Sequence, residues 1–275
     1  MPSIQGKVAL VTGASAGIGK ATALSLLSHG TSVYASARRV EKMNDLEKKG
    51  ATILAMDVTD FESMNSGVQS ILDKEGSVDI LVNNAGYGSY GAIEDVPISE
   101  ARRQFEVNIF GLGRLTQLVL PYMRKNGYGK IVNISSMGGK IYTPLGGWYH
   151  ATKHALEGLS DCLRIETKPF GIDVIVIEPG GIQSEWGDIA ADNLIKTSGN
   201  GAYKERAEKT AQGMRDTYRS GKVSPPSLIA EVITKAVTAR KPKTRYAAGY
   251  MAKPSLFLRS LLSDRMFDRI VSTMA

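Results

Sequence analysis

Short apolar, β-branched runs alternate with longer amphipathic stretches along most of the chain. The short runs are KVALVTG around Val8, SVYASA around Val33, TILAMD around Ile53, DILVNNAG around Leu81, KIVNISS around Val132 and DVIVIEPG around Val176. They lack the in–out alternation of half-exposed strands, so they read as strands buried on both faces. The stretches between them have helical periodicity. GIGKATALSLLSHG ends at Gly30, suited to a left-handed cap. TDFESMNSGVQSILDK opens with Thr59 and Glu62 at capping-box spacing. SEARRQFEVNIFGLGRLTQLVLPYMRKNG fits one long helix or two joined ones, and WYHATKHALEGLSDCLRIETKPFG a helix running to Pro169. The alternation predicts repeated βα units around a parallel sheet, an α/β fold.

Beyond Pro179 the pattern weakens. Residues 185–224 are polar and rich in Gly, Ala and Lys, and read as a mobile or loosely helical insert. Pro225 and Pro226 precede a helix, SLIAEVITKAV, because proline is tolerated in a first turn. TRYAAG fits a last strand, and PSLFLRSLLSDRMFDRIVSTMA one amphipathic helix suited to packing or self-association rather than to a membrane. With no repeats, low-complexity tracts or linkers, a single domain is expected: residues 1–250, plus a helical extension of the same domain over 251–275.

Composition narrows the function classes. The chain of 275 residues is 43% hydrophobic and 22% charged, enough for a full core without covalent staples. A lone cysteine, Cys162, excludes an internal disulfide or a multi-cysteine metal site and suits a reducing compartment. MPSIQGKVALVTG lacks the apolar core of a signal peptide, and no run approaches the ~18 apolar residues of a membrane span, so a cytoplasmic protein is expected. His29, His150 and His154 are too dispersed for zinc, and no metal is expected. The net charge of +7 is spread over modest clusters, ARR, EKK and ARKPKTR, rather than gathered into a stripe. That argues against nucleic acid and leaves cations for a small anionic ligand.

The first such ligand site is TGASAGIG. Gly13, Gly17 and Gly19, with Ser15 and Ile18 between them, lie after the first strand and at the start of a helix. There glycines permit a tight turn and close approach of a pyrophosphate to the helix N-terminus. The spacing is G-x-x-x-G-x-G, not the usual G-x-G-x-x-G. At the end of the second strand, where an acidic residue would bind the ribose hydroxyls of NADH, stand Ala37, Arg38 and Arg39. Arg38 can fork a 2′-phosphate, with Ser15 adding a hydroxyl, which puts NADPH ahead of NADH. The competing reading is a solvated arginine pair.

The second site is YHATK. Tyr149 and Lys153 are four apart and share one helix face. Alone, the pair is either a tuned acid or a core phenol beside a solvated lysine, since a free phenol has a pKa of roughly 10. His150 points roughly 100° away along the helix and reads as a bystander. The NIS sequon at Asn133 falls in an expected buried strand.

In order along the chain stand TGASAGIG, DV (Asp57, Val58), NNAG (Asn83 to Gly86), Asn108 in EVNIFG, Ser136 with Tyr149 and Lys153, and PGGIQS (Pro179 to Ser184). This ordered set, over about residues 5–250, resembles the short-chain dehydrogenase/reductase family. The wording around Arg38 and GGWYHATKHALEGLSD looks most like bacterial members near the hydroxysteroid and retinol dehydrogenase branches. The resemblance implies a Rossmann-like doubly wound parallel sheet with helices on both faces. It implies Tyr149 as general acid or base with its pKa drawn down by Lys153, and Lys153 bonding the nicotinamide ribose. Ser136 would bond the substrate oxygen, with neighbouring Ser135 the competing choice; strand alternation and family spacing favour Ser136. Asn108 would hold a helix distortion and a water leading to Lys153. Asp57 and Val58 would contact adenine, and Asn84, Ala85 and Gly86 would line the cofactor. Pro179, Gly180, Ile182 and Ser184 would meet the nicotinamide, Ser184 standing where the family usually has threonine.

The implied activity is NADPH-dependent reduction of a ketone or aldehyde, or the reverse oxidation of an alcohol. The alternative is a non-catalytic NADP(H)-binding sensor or scaffold of the same fold; such members commonly lose the tyrosine or lysine, and both are present. Substrate determinants are expected in residues 87–97, 138–148 and 185–224. Trp148, Trp186 and Tyr142 suggest an apolar pocket. The helices around residues 101–126 and 149–169 are where family members commonly associate, which allows a homodimer or homotetramer.

Overall fold

Adjacent residues of a strand face opposite sides of a sheet, and the core divides on that rule. In β1 (Val8–Thr12), Ala9 and Val11 join one cluster, while Val8 and Leu10 join another on the far face. The same alternation sends Ile80 and Val82 of β4 (Ile80–Asn83) one way and Leu81 the other. Both faces of the sheet are therefore covered, which is why these strands read as unbroken apolar runs. The structure, a computed structural model, describes residues 3–273. The first two residues of the N-terminal run and the last two of the tail lie outside it.

The remaining strands are β2 (Ser32–Ala37), β3 (Thr52–Ala55), β5 (Gly129–Ile134), β6 (Ile172–Pro179) and β7 (Arg245–Ala248). All seven pair in parallel, in the order β3-β2-β1-β4-β5-β6-β7. On one face α1 (Gly17–Ser28) and α9 (Pro226–Thr238) pack Ala23, Leu26, Ile229 and Ile233 against the sheet. On the other, α3 (Phe61–Glu75) and α5 (Leu112–Asn126) bring Met64, Ile71, Leu115 and Val119. α6 (Gly147–Thr167) lies on β6, Leu156 against Val176. This is the doubly wound arrangement, with the strand order reversing between β1 and β4. A short α2 (Asn44–Glu47) follows the second strand.

Several local expectations change. Helix α3 is capped by Asp60, not Thr59: the Asp60 carboxylate accepts from the amides of Glu62 and Ser63 at 3.0 and 3.3 Å, while Thr59 bonds Asp57. The long segment before β5 is α4 (Ile98–Phe105) continued into α5 through a six-residue π turn, Glu106–Gly111. A side chain at Gly111 would collide with the Val58 carbonyl, so the turn lies hard against the loop after β3.

The 185–224 region is not loosely ordered. It forms α7 (Trp186–Ser198) and α8 (Lys204–Arg219), whose contact is made by Ala190, Ala191, Leu194, Ala207 and Ala211. Small side chains build this interface, so its sequence carries little apolar signal. The tail is two helices, α10 (Ala252–Leu261) and α11 (Asp264–Thr273). Phe267 and Val271 of α11 cover Ile141, and the Tyr142 hydroxyl donates to Asp268 at 2.9 Å, so the extension clamps the loop after β5. Among the described residues no helix is long and apolar enough to cross a membrane, and no group of three or more His, Cys, Asp or Glu could hold a metal.

Candidate functional site

The glycine turn sits at the switch point and is braced from β4. The Thr12 hydroxyl donates to the Val82 carbonyl at 3.2 Å and accepts from the amides of Asn84 and Ala85, both at 3.0 Å. The Asn84 amide donates to the carbonyls of Thr12 and Gly13 at 2.9 and 3.3 Å. TGASAGIG and NNAG are thus one unit. Gly13 and Gly17 take positive φ, 65° and 55°, where other residues are strained. Helix α1 begins without a side-chain cap or an acidic residue in its first turn, which leaves its positive end to an anion. A Cβ on Gly19 would stand 2.5 Å from the Gly13 carbonyl oxygen and from Asn84 Nδ2. Gly19→Ala is therefore expected to lower stability by about 1–3 kcal/mol and to weaken dinucleotide binding; urea unfolding and a fluorescence titration with NADPH check both.

The segment from Pro179 to Ser184 lies across this turn: a Cβ on Gly17 would be 3.6 Å from that of Ser184. Gly180 is pinned to β7 through the Ala248 carbonyl at 2.9 Å, and Ile182 is buried. The Ser184 hydroxyl is engaged locally, accepting from the Trp186 amide and donating to the Ile182 carbonyl, both at 3.3 Å.

At the end of β2, Arg38 extends into solvent with its guanidinium 4.0 Å from Asp57. The two are far enough apart in the chain to follow different strands, and the parallel pairing of β2 and β3 brings them together. Val58 follows against the π turn. Ser15 is half-buried in the glycine turn. Arg39 and Lys42, by contrast, are held by Glu185 at 3.5 and 3.4 Å. No local signal marks Glu185, which is more than 140 residues away in sequence.

At the end of β5 the two serines diverge. The Ser135 hydroxyl is buried beneath Gly139 and, among the described residues, has no hydrogen-bond partner. Ser136 is extended, accepts from the Gly138 amide at 3.0 Å, and lies beside the Tyr149 phenol, near enough to favour its charged form. The structure therefore brings Ser136, not Ser135, to the tyrosine.

Tyr149 is 8% exposed, ringed by Tyr90 at 5.8 Å and Trp186 at 5.5 Å between ring centres, with Tyr218 stacked beyond Trp186. Burial pushes its pKa above the usual phenol value, and neighbouring Ser136 pulls the other way. The lowering expected from Lys153 is not seen in the protein alone, where desolvation dominates. Lys153 is equally buried; its ammonium donates to the Ile134 carbonyl at 2.8 Å and lies 6.0 Å from the Tyr149 ring centre. Burial pushes its pKa down to about 8, while Glu157, one turn on, pulls upward. Glu157 is itself held by Arg245 at 2.9 Å and Lys140 at 3.3 Å.

Asn108 sits in the π turn, fully used. Its amide donates to the Tyr87 carbonyl at 2.9 Å and the Thr152 hydroxyl at 3.1 Å, and its oxygen accepts from the Tyr87 amide at 3.1 Å. Gly86 packs against that oxygen. The helix distortion therefore ties the loop after β4 to α6, one residue from Lys153. Of the aromatic residues expected to line a pocket, Trp186 reaches Tyr149, whereas Tyr142 is taken up by α11. Tyr90, Leu145 and Tyr218 were not singled out in the sequence, which offers only their neighbourhood. Asn133 of the sequon is wholly buried and donates to Ser160 at 2.9 Å. His150 is buried and bonded at both ring nitrogens.

The chain is similar to known proteins. A family model described as short chain dehydrogenase matches residues 7–193. A probable short-chain type dehydrogenase/reductase from Helicobacter pylori, VdlC, is 36% identical over 266 residues, 96% of each chain. An NADPH-dependent 3-dehydrocapnine reductase from Ornithobacterium rhinotracheale is 36% identical over 281 residues, covering 96% of this chain and 95% of its own. The crystal structure of a short-chain dehydrogenase from Streptomyces avermitilis superposes with a TM-score of 0.82 at 35% identity, over 98% of both chains.

Proposed function

The chain belongs to the short-chain dehydrogenase family, and on that premise we propose that it reduces an apolar ketone or aldehyde with NADPH, the reverse reaction oxidising the alcohol. The observation that carries this reading is the meeting of Ser136, Tyr149 and Lys153 at the carboxyl end of β5, the same end of the parallel sheet as the glycine turn.

The residues present fit a dinucleotide. The cradle at Gly13 and Gly19 is too tight for a Cβ, and α1 offers an uncapped positive end. Gly13, Ser15, Gly17, Ile18 and Gly19 would hold the pyrophosphate and Arg38 the 2′-phosphate, with Asp57 and Val58 at the adenine. Asn84, Ala85 and Gly86 would line the middle. Lys153 would bond the nicotinamide ribose, and Pro179, Gly180, Ile182 and Ser184 the nicotinamide. Bound there, NADPH supplies the hydride. Ser136 donates to the carbonyl oxygen and polarises it as negative charge develops. Tyr149 gives that oxygen its proton, and the neighbouring Lys153 ammonium favours the phenolate left behind. Asn108 fixes Thr152 and so the turn of α6 that carries both. Tyr90, Trp186 and Leu145 exclude water and select an apolar group beside the carbonyl.

The Ornithobacterium relative is named for NADPH, which agrees with an open Arg38 and the lack of a carboxylate at the end of β2. Arg38→Ala is expected to raise KM for NADPH about 10–100-fold, the loss of a charged hydrogen bond or two, and to leave KM for NADH nearly unchanged. Equal effects on the two cofactors would remove the 2′-phosphate assignment. The activity itself is tested by following absorbance of NADPH and NADH against ketones, aldehydes, steroids and long-chain oxo compounds. Tight NADPH binding with no reduction across the panel would favour a non-catalytic sensor instead. We place the protein in the cytoplasm, in keeping with a single exposed cysteine, and assign self-association to the exposed Phe110, Leu159, Ile165 and Phe170 on and around α5 and α6.

A further inference from the structure

His150 follows Tyr149 directly; its ring stands edge-on to the Tyr149 ring at 5.7 Å between centres and lies 7% exposed beneath the loop after β5. Its Nε2 is 3.0 Å from the Thr143 backbone amide, a group that can only donate, so Nε2 is the acceptor and Nδ1 carries the proton. Nδ1 then donates to the Gly138 carbonyl at 3.0 Å. The amide of the same residue, Gly138, donates to Ser136 Oγ at 3.0 Å. One lone pair of Ser136 is thereby occupied, and its proton is left to a substrate oxygen or to Tyr149. There is no slack at this point: a Cβ on Gly138 would stand 3.1 Å from His150 Nδ1 and 3.3 Å from Ser136 Oγ.

We propose that His150 is a positioning residue for Ser136: its Nδ1–H holds the Gly138 carbonyl so that the Gly138 amide fixes the serine hydroxyl. This rests on the reading of Ser136 and Tyr149 as the pair that meets the carbonyl. The two bonds of the imidazole have different purposes. The Gly138 bond sets the serine; the Thr143 bond, shared with the Thr143 hydroxyl at 3.0 Å, sets only the tautomer and the far side of the loop.

Three variants separate them. His150→Asn puts an amide nitrogen near the place of Nδ1, His150→Gln puts its amide near Nε2, and His150→Leu makes neither bond. The expected result is kcat within about threefold of wild type for His150→Asn and a fall of about 10–100-fold for the other two, as a small misplacement of a reacting group produces. KM for NADPH is unchanged in all three. Amide hydrogen exchange at Gly138, read by NMR without substrate, is expected to speed up about tenfold in His150→Gln and His150→Leu and not in His150→Asn. If Gly138 exchanges alike in all three variants, or if their kcat values move together, His150 only fills space and the inference is overturned. A wild type that reduces nothing would sink the function proposed above, while Gly138 exchange still decides the part played by His150.

Discussion

Tyr149→Phe is expected to lower kcat by about 10²–10⁴-fold, the range that a positioned general acid contributes, with NADPH affinity within a few fold of wild type. The substitution removes one hydroxyl and keeps the ring that packs on Tyr90 and Trp186, so folding is not the reason for the loss. The phenol is desolvated and lies beside Ser136; its removal strips the carbonyl oxygen of a proton source and leaves Ser136 to polarise it alone. Single-turnover kinetics with saturating NADPH isolate the step. Near-wild-type turnover in this variant would exclude Tyr149 as the acid and return it to core packing, the plainer reading of YHATK.

Lys153→Met is the complementary experiment, and it separates activity from stability. Turnover should fall about 10²-fold or more, with KM for NADPH rising as well, because the ammonium is assigned both to the phenolate and to the ribose. Stability should respond to pH with a definite sign. Burial holds Lys153 at about 8, against 10.5 for the free group. Between those values the unfolded chain binds the extra proton and the folded one does not, so unfolding free energy rises with pH across that window. Below pH 8 the buried cation is a penalty; toward pH 10.5 the penalty vanishes. The stability of the wild type relative to Lys153→Met should therefore grow by about 3 kcal/mol from pH 7 to pH 10.5. Urea unfolding of the two proteins at both pH values measures it. A flat difference would mean that Lys153 titrates as an exposed amine, contrary to its burial.

The parts of the site that were legible in the sequence are those whose signal is local. Glycines at 13, 17 and 19 mark a turn at which two residues do take positive φ, and that follows from steric rules acting on a few consecutive residues. Tyr149 and Lys153 share a face because of helical geometry alone. The choice between Ser135 and Ser136 was also open to strand alternation, and the structure orients them as that rule requires. Thr59 and Asp60 both suit the cap of α3 by residue type; the bond from Thr59 to Asp57 leaves Asp60 to cap. The helices α7 and α8 were hidden because alanines 190, 191, 207 and 211 pack closely while adding little hydrophobicity to the sequence.

The amino-acid sequence by itself determined the parallel sheet and the alternation of its strands with helices as far as Pro179, because burial on both faces writes an unbroken apolar run and each of those helices writes its own period. It determined the residue types of the glycine turn and of the group formed by Ser136, Tyr149 and Lys153. Only the tertiary structure decided how their neighbours are used. Glu185 reaches Arg39 and Lys42, Asp57 meets Arg38, Trp186 closes on Tyr149, and His150 holds Gly138 beneath Ser136. Most of these contacts join segments far apart in the chain; His150 and Gly138 meet only because the intervening loop folds back over α6. Backbone geometry repeats every few residues and can be read locally, whereas a hydrogen-bond partner is chosen by whatever the folded chain brings within 3 Å.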